Sequence, residues 1–276
     1  MTQADIINEQ KAARAFTKQS AVFDSIYSNN LIVQYKRNRV RDHVQQFIKP
    51  NSNILELNSG TGQDAVYFAT HGHTVHATDI SAGMQNQLFQ KVKEYGLEGQ
   101  VTCELRSFTD LRHLINRGPY DLIFSNLAGL NCTSELDRVL LSFSPLLKQG
   151  GIITVVIMPK FCLWETLLLF KGRFKTAFRR FSSAKGRTAR IEGEYFLCWY
   201  YNASYIRKAV KKEFDILSIE GLCSFVPPSY MESFPKKLPK LFNFLKDLEN
   251  KWKTKWPWRA IGDYYIISLR KKTVIN

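Results

Sequence analysis

The sequence lacks the features of a membrane-spanning or disulfide-stabilised protein. No uninterrupted apolar run approaches the ~20 residues that a transmembrane helix requires. The five cysteines are scattered and form no C-x-x-C pair, which is typical of reduced thiols rather than of disulfides or a zinc site. The first residues, MTQADIINEQKAARAF, are polar and show no signal-peptide pattern. We therefore expect a cytoplasmic protein.

Acidic residues are scarce in the second part of the chain. Residues 1–159 carry 15 Lys/Arg and 14 Asp/Glu, whereas residues 160–276 carry 24 Lys/Arg and 10 Asp/Glu. The difference of +14 in the second segment accounts for nearly all of the formal net charge of +15. Such an excess indicates an anionic partner, which could be a membrane surface, an acidic substrate or a nucleic acid.

Clustered metal ligands are also missing from the places where a ligand is expected. Three histidines, His71, His73 and His76, occur together in HGHTVH. That turn joins a predicted helix to a predicted strand, so it belongs to the end of the sheet away from the carboxyl ends of the strands, where ligands bind. We therefore expect no metal site.

Helices and strands alternate along most of the chain. Apolar strand-like segments such as ILEL (54–57), TVHATDI (74–80) and YDLIFSNL (120–127) are separated by short amphipathic helical segments. This rhythm predicts an α/β fold with a doubly wound, mostly parallel sheet. The segment 4–49 is helical in its pattern, and DILSIEGL and DYYIISLRKK supply two later strands. Seven strands are expected in total.

A glycine turn follows the first strand. Gly60 and Gly62 stand two residues apart between ILEL and a predicted helix, a pattern that suits both dinucleotides and other adenosyl cofactors. Glu56, inside the strand, suits a cofactor with an ammonium and a sulfonium group, although a buried acid paired with a basic side chain is the alternative. Asp79 ends the second strand, where it can bind ribose hydroxyls of either cofactor class.

Together, LELNSGTG and ATDIS resemble motif I and the following acidic strand end of the class I S-adenosylmethionine-dependent methyltransferases of the small-molecule type. The resemblance covers roughly residues 20–158 and continues through WYYNASYIRKAV. Asn58 and Ser59 replace the usual Gly and Cys of the motif. The resemblance implies S-adenosylmethionine as cofactor, S-adenosylhomocysteine as product, and a Rossmann-like sheet whose last strand is antiparallel.

The resemblance also assigns site residues. The expected cofactor-binding residues are Glu56, Asn58, Gly60, Gly62, Asp79, Ile80, Ser107, Phe108 and Asn126. Ser107 and Phe108 stand where many members have an Asp for the adenine amino group. Asn126 matches the loop facing the transferred methyl group, although it could simply cap that loop. Tyr27 lies in a segment that resembles the lid, and Tyr27 and Asn126 are the expected catalytic residues.

Late aromatic residues are candidates for an acceptor pocket. These are Trp164, Tyr195, Trp199 and Tyr200, for which a core position is the alternative. The corresponding organisation is a helical lid (1–50), an S-adenosylmethionine-binding core (51–159), a basic, aromatic, helical cap inserted after the fifth strand (160–200) and a segment completing the sheet (201–276).

The acceptor expected from the resemblance is a small apolar, aromatic or lipid-like molecule, and O-, N- and C-methylation all stay open because no general base stands out. The alternative is an RNA or other nucleic-acid methyltransferase that uses the basic C-terminal part. However, SNLAGLN lacks the Asn/Asp-Pro-Pro-aromatic loop that grips a flipped-out base, so nucleic acid is the weaker hypothesis. A protein that binds the cofactor without catalysis is a third reading. The oligomeric state stays open.

Residues 161–181 have the pattern of an amphipathic helix. At 100° per residue, one face would contain Leu163, Leu167, Phe170, Phe174, Ala177, Phe178 and Phe181. The remaining surface would present cations, including Lys171, Lys175, Arg179 and Arg180. This predicts either a cap over the acceptor pocket or a helix in the interface of an anionic membrane, with peripheral membrane contact.

Overall fold

A seven-stranded sheet organises the protein. The computed structural model describes residues 2–172, 174, 178–181 and 185–273. The strands are β1 (Asn53–Leu57), β2 (Thr74–Asp79), β3 (Val101–Leu105), β4 (Tyr120–Ser125), β5 (Leu147–Ile157), β6 (Arg187–Ile191), β7 (Glu194–Cys198), β8 (Phe214–Leu222) and β9 (Tyr264–Lys271). The large sheet has the order β3-β2-β1-β4-β5-β9-β8, and β6 and β7 form a separate hairpin.

Strands β1 to β5 are parallel, and β9 runs antiparallel to both of its neighbours, β5 and β8. The predicted doubly wound sheet with an antiparallel last strand is therefore confirmed. Because the order reverses direction between β1 and β4, the carboxyl ends of these strands border a crevice in which such sheets bind ligands.

Helices connect and cover the strands. They are α1 (Gln3–Ser28), α2 (Leu31–Gln45), α3 (Gln63–Thr70), α4 (Ala82–Glu94), α5 (Leu136–Leu141), α6 (Leu163–Leu167), α7 (Ala203–Val210), α8 (Phe234–Lys237) and α9 (Pro239–Trp252). Ser81 caps α4, since its hydroxyl accepts a hydrogen bond from Met84 N. In the described part of the chain, no helix combines the length and apolar character needed to cross a membrane.

Two apolar clusters fill the two faces of the sheet. Ile54, Phe68 and Leu88 belong to the cluster beneath α2, α3 and α4. Leu55 and Leu57 alternate with Ile54 along β1 and belong to the opposite cluster, which includes α5 and α7. Glu56 therefore points to the same face as Ile54, into the space beside α2 and α3.

Helix α1 closes over one edge of the sheet and is held there by polar contacts. The Asp24 carboxylate accepts a hydrogen bond from Thr61 Oγ1 (2.6 Å) and pairs with the Lys91 ammonium. The hydroxyls of Thr17 and Ser81 lie 2.9 Å apart. At the other end of the helix, Asn8 Nδ2 donates to Leu197 O (3.1 Å) in β7. The lid helix is thus fastened to the glycine turn, to α4 and to the hairpin.

The segment after β5 corrects the prediction of one long amphipathic helix. Helix α6 covers only Leu163–Leu167, and a 3-10 turn over Leu168–Lys171 leads into Gly172, which has φ +70°. This left-handed residue ends the helical path, in keeping with the high cost of glycine inside a helix. The prediction of one continuous helix over this segment is therefore wrong at Gly172, and β6 and β7 add a hairpin to the insert. Lys175 and Ala177 lie outside the described residues.

The periodicity places Arg179 and Arg180 on the basic face of the helix, either in solvent or at membrane headgroups, and the structure places both against acids instead. Arg180 is 2% exposed, and its Nη2 lies 2.6 Å from both Glu165 Oε1 and Asp263 Oδ1. Arg179 forms an ion pair with Glu165 from the solvent side, and its Nε donates to Oε2 (2.8 Å). These ion pairs hold residues 179–180 against α6, because the buried carboxylates of Glu165 and Asp263 need a cation to balance their charge.

Removing the buried cation should destabilise the fold. Arg180→Gln leaves two buried carboxylates without their shared guanidinium, so we expect the free energy of unfolding in urea to fall by about 3–5 kcal/mol. Arg179→Gln is the matched control, because Arg179 is 47% exposed on its side chain and bonds the same Glu165; its loss should be about 1 kcal/mol or less. Equal losses in the two variants would contradict the assignment.

Candidate active site

A cavity opens at the carboxyl ends of β1, β2 and β4, beneath α1. Its walls combine residues of the glycine turn, the loop after β4, helix α2 and the lid helix. The lining residues are Glu9, Ala12, Phe16, Phe23, Arg37, Glu56, Asn58, Ser59, Gly60, Thr61, Gln63, Asp64, Asp79, Ile80, Met84, Phe108, Asn126, Leu127, Gly129 and Cys132.

Glycine is required at the two positions of the turn for different structural reasons. Gly60 has φ +55°, and a Cβ added to it would meet nothing within 4 Å, so its backbone is open to a ligand. Gly62 has φ +79°, and a Cβ there would lie 2.1 Å from Leu88 Cδ1. Gly62 therefore permits the close packing of α3 on α4 and stands behind the cavity wall.

Glu56 is a buried acid that the folded chain leaves incompletely satisfied. The residue is 3% exposed, and its Oε2 atom has no hydrogen-bond partner among the described residues. Burial, reinforced by the neighbouring Asp64 carboxylate, raises the pKa of Glu56 well above its usual value. An unsatisfied carboxylate that lines a cavity is suited to receiving a cationic group of a ligand.

Asp64 holds three donors around Glu56. Its Oδ2 accepts from Arg37 Nη1 (3.0 Å) and from Asn126 Nδ2 (2.9 Å), and its Oδ1 accepts from Arg41 Nε (2.7 Å). Burial acts to raise the pKa of Asp64, but the two guanidinium groups hold it below its usual value. The result is a fixed anion whose partners reach the cavity from α2 and from the loop after β4.

Asp79 orders the glycine turn while facing the cavity. One carboxylate oxygen accepts from Gly60 N (2.9 Å) and the other from Ser81 N (2.8 Å). Burial raises the pKa of Asp79 above its usual value, against the effect of these backbone donors. Each oxygen has further acceptor capacity, which two adjacent hydroxyls of a ligand could use.

The loop after β4 has a strained backbone. Leu127 and Ala128 have φ of +48° and +65°, in the left-handed region that these residues rarely adopt. Asn126 Oδ1 accepts from Leu127 N (2.7 Å), so the Asn126 side chain supports the loop while its amide bonds Asp64. Strain of this kind is concentrated at functional sites in proteins.

Seven of the nine cofactor-binding residues expected from the sequence line the cavity: Glu56, Asn58, Gly60, Asp79, Ile80, Phe108 and Asn126. The other two, Gly62 and Ser107, stand just behind this lining. Asn58, with φ +45°, donates from Nδ2 to Ser125 Oγ (2.6 Å) and so links the glycine turn to β4.

Tyr27 does not line the cavity. Phe23, one turn earlier on α1, does, and the Tyr27 ring packs edge-on against the Phe23 ring with centroids 4.8 Å apart. Positions four residues apart lie on the same face of a helix, so Tyr27 lies beside Phe23 but one turn further from the cavity.

The four aromatic residues proposed for an acceptor pocket lie elsewhere. Tyr195 is 53% exposed on the hairpin, and Trp199 packs on the core cluster beneath α5 and α7. Tyr200 is buried under the Arg180 guanidinium, 5.2 Å from its ring centroid, and Trp164 belongs to α6. The walls near Asn126 come instead from α1, which supplies Ala12, Phe16 and Phe23, and from Leu127 and Cys132.

Sequence reasoning missed Glu9, Arg37 and Asp64. Asp64 carried a usable signal, because it stands in the first turn of the helix that follows the glycine turn. Arg37 and Glu9 belong to amphipathic helices whose polar faces show many similar residues. Only the tertiary contacts single them out.

Two clusters could be mistaken for metal sites. His76 bonds Thr102 Oγ1 (2.7 Å) and Glu104 (3.0 Å) on the neighbouring strand. Cys162, Glu165 and Asp263 bring their ligand atoms within 4.8 Å of one another. The Arg180 guanidinium already bonds both carboxylates of that group, so it neutralises the charge that a cation would otherwise balance.

Comparisons with known proteins agree with this geometry. Residues 54–151, which contain the glycine turn, Asp79 and the loop after β4, match the family model described as "Methyltransferase domain". An uncharacterized methyltransferase of Synechocystis sp. is 29% identical over 133 residues, which are 47% of this chain and 59% of that protein. The match thus spans less than two thirds of the length of this relative.

Solved structures share the fold at low sequence identity. The 1,6-didemethyltoxoflavin-N1-methyltransferase of Burkholderia thailandensis has a TM-score of 0.59 and 13% identity, and the alignment covers 99% of this chain and 92% of that one. The geranyl diphosphate C-methyltransferase of Streptomyces coelicolor has a TM-score of 0.56, 12% identity and coverage of 86% and 79%. A SAM-dependent methyltransferase of Methanosarcina mazei has a TM-score of 0.56, 15% identity and coverage of 83% and 96%.

The matched residues include the glycine turn and the carboxyl ends of β1, β2 and β4, which form the sheet side of the cavity. Residues 54–151 are therefore similar to a methyltransferase domain, and the chain shares the Rossmann-like fold of the solved methyltransferase structures.

Proposed function

We propose that the protein transfers a methyl group from S-adenosylmethionine to a small apolar, aromatic or lipid-like acceptor. The observation that carries this proposal is the division of the cavity into a polar part and an apolar part. Glu56, Asp79 and the glycine turn form the polar part, and the rings of Phe16 and Phe23 with Leu127 form the apolar part.

The methionine end of the cofactor fits between Glu56 and Arg37. Glu56 offers an unsatisfied carboxylate to the ammonium group, and Arg37 lines the same cavity and offers a guanidinium to the carboxylate. Asp64 holds Arg37 through the 3.0 Å ion pair. Two charged groups of the ligand thus meet two fixed groups of opposite sign, which orients the sulfonium between them.

The adenosyl end fits along β2 and β3. Asp79 has acceptor capacity for both ribose hydroxyls, and Ile80 and Phe108 supply apolar surfaces for the flat base. Gly60 leaves the backbone open where the ribose and the methionine chain meet. Ser107 and Gly62 support this part from behind.

The acceptor would lie under α1, against Phe16, Phe23, Leu127 and Cys132. S-adenosylmethionine supplies an electrophilic methyl group, so the protein has to align the nucleophile and exclude water rather than generate strong acid or base catalysis. We propose that Asn126 fixes the loop that faces the methyl group. Tyr27 would act by supporting Phe23 rather than by touching the acceptor. A roofed apolar pocket suits a small acceptor better than a nucleic-acid strand.

Asp79→Asn should weaken binding of S-adenosylhomocysteine by about 1–3 kcal/mol, because the amide replaces charge-assisted bonds to the ribose. Isothermal titration calorimetry measures the loss. Asp215→Asn is the control, since the Asp215 side chain is 67% exposed on β8. Unchanged affinity in the Asp79 variant would remove Asp79 from the binding site, and absence of binding by the unaltered protein would remove the proposed function.

Glu56 should make cofactor stabilisation depend on pH. Its raised pKa means that ionisation destabilises the free folded protein as pH rises from the ordinary carboxyl range, of about 4.3, toward the higher folded value. A bound ammonium group removes that cost. The increase in melting temperature caused by S-adenosylhomocysteine should therefore grow as the pH rises above the ordinary carboxyl range. Glu56→Gln should give a smaller increase that grows less with pH, whereas Glu98→Gln, at an exposed position, should behave as the unaltered protein.

A lipid-like acceptor would agree with peripheral contact to an anionic membrane. Phe170, Phe174, Phe178 and Phe181 are 88%, 61%, 52% and 52% exposed, so this surface presents aromatic rings to solvent. Residues 160–276 also carry the positive charge excess. Exposed aromatic residues with nearby cations are the composition of interfacial membrane contacts. We propose that these four phenylalanines, rather than one continuous amphipathic helix, make the contact.

Co-sedimentation with phosphatidylglycerol vesicles tests this contact. We expect binding at low salt that weakens at high salt, and Phe170→Ser with Phe174→Ser should reduce it several-fold by removing inserted rings. Phe89→Ser is the control, because Phe89 is a 50% exposed ring on α4, outside the proposed surface. A protein that stays in the supernatant at low salt, or a control that loses as much binding, would contradict the membrane contact.

A further inference from the structure

The adenine end of the cavity has an acid on the lid helix instead of on the sheet. Directly after β3 the chain has Ser107 and Phe108, so these two positions supply no carboxylate. Glu9 of α1 lines the cavity together with Ile80 and Phe108, the two residues assigned to the base. The carboxylate at this end of the cavity therefore comes from the lid helix.

Hydrogen bonds fix the position of Glu9. Its Oε1 accepts from Ser107 Oγ (2.6 Å) and from Thr109 Oγ1 (2.7 Å), both in the loop after β3. Ser107 Oγ in turn accepts from Thr109 N (3.1 Å). Among the described residues, the second carboxylate oxygen, Oε2, has no hydrogen-bond partner. One oxygen thus attaches the side chain to the sheet, and the other is available to a ligand.

The hydrogen-bonding groups at this end of the cavity favour a base that carries an amino group. The hydroxyl protons of Ser107 and Thr109 are directed to Glu9, so this end of the cavity presents acceptors rather than side-chain donors. The 6-amino group of adenine offers two N–H donors, whereas a 6-oxo purine would place an oxygen against a carboxylate. An ionised acceptor forms the stronger class of hydrogen bond and rejects an opposing oxygen.

We propose that Glu9 accepts a hydrogen bond from the 6-amino group of the bound adenine and thereby sets the base specificity of the cofactor site. This inference rests on the proposed function. It makes Glu9 a cofactor-binding residue contributed by the lid, and it means that the base is fully recognised only when α1 is closed over the sheet.

The experiment compares S-adenosyl-L-homocysteine with S-inosyl-L-homocysteine, in which a 6-oxo group replaces the 6-amino group. Calorimetry on the full chain should show that the unaltered protein prefers the adenosyl compound by at least about tenfold, the effect of one charge-assisted hydrogen bond. In Glu9→Gln the amide oxygen can keep the two hydroxyl donors, and its NH₂ group then faces the base. We expect weaker adenosyl binding and stronger inosyl binding, so that the preference falls to about threefold or less or reverses.

A supporting role for Glu9 predicts a different result. If Glu9 only fastened the lid to the loop after β3, Glu9→Gln would weaken both ligands by the same factor and leave the preference unchanged. That outcome would overturn the proposal. Thr109→Val removes one of the two hydroxyls and should retain the preference for the adenosyl compound. Failure of the unaltered protein to bind either ligand would contradict the proposed function itself, and strong adenosyl binding with an unchanged preference in Glu9→Gln would contradict only the role of Glu9.

Discussion

The buried carboxylate of Asp64 is the contact on which the site depends. It joins Arg37 and Arg41 of α2 to Asn126 of the loop after β4, and its own helix, α3, begins at the glycine turn. Two cations hold the pKa of Asp64 low, whereas burial and the Asp64 carboxylate raise the pKa of the neighbouring Glu56. We propose that Glu56 stays incompletely satisfied because the group that completes its contacts is the ammonium of the bound cofactor.

Structural ion pairs and hydrogen bonds elsewhere in the fold explain part of the basic character of the chain. Several C-terminal cations serve the fold: Arg180 bonds Glu165 and Asp263, Lys253 lies 3.3 Å from Glu220, and Lys271 donates to two backbone carbonyls that precede and begin β5. An excess of basic residues in a sequence therefore mixes structural cations with those available to a partner. Counting charges identifies the segment, and only burial separates the two groups.

Site residues that are placed by local sequence patterns could be predicted, whereas those placed by contacts between distant segments could not. The glycine turn, Glu56 and Asp79 were predicted from sequence because a strand, a turn and a helix place them by local geometry. The seven-stranded sheet was predicted for the same reason, since alternation of short apolar and amphipathic segments is a local pattern. The prediction of one long helix over residues 161–181 was wrong because hydrophobic periodicity does not show that Gly172 ends the helical path. It also does not show that the buried Glu165 pairs with Arg180. Aromatic Tyr195 and Tyr200 carry no local sign that separates a pocket from a core or a surface.

Helix α1 lines both the cofactor region and the acceptor region of the proposed site. Glu9 stands at the adenine end of the cavity, and Phe16 and Phe23, two and four turns further along the same helix, form the wall over the acceptor region. Contacts at Asn8, Thr17 and Asp24 keep the helix in one position relative to the sheet. A cofactor that bonds Glu9 favours this position, and the same position shapes the acceptor pocket. A change in the position of α1 should therefore affect the binding of cofactor and acceptor together, because one helix serves both sites.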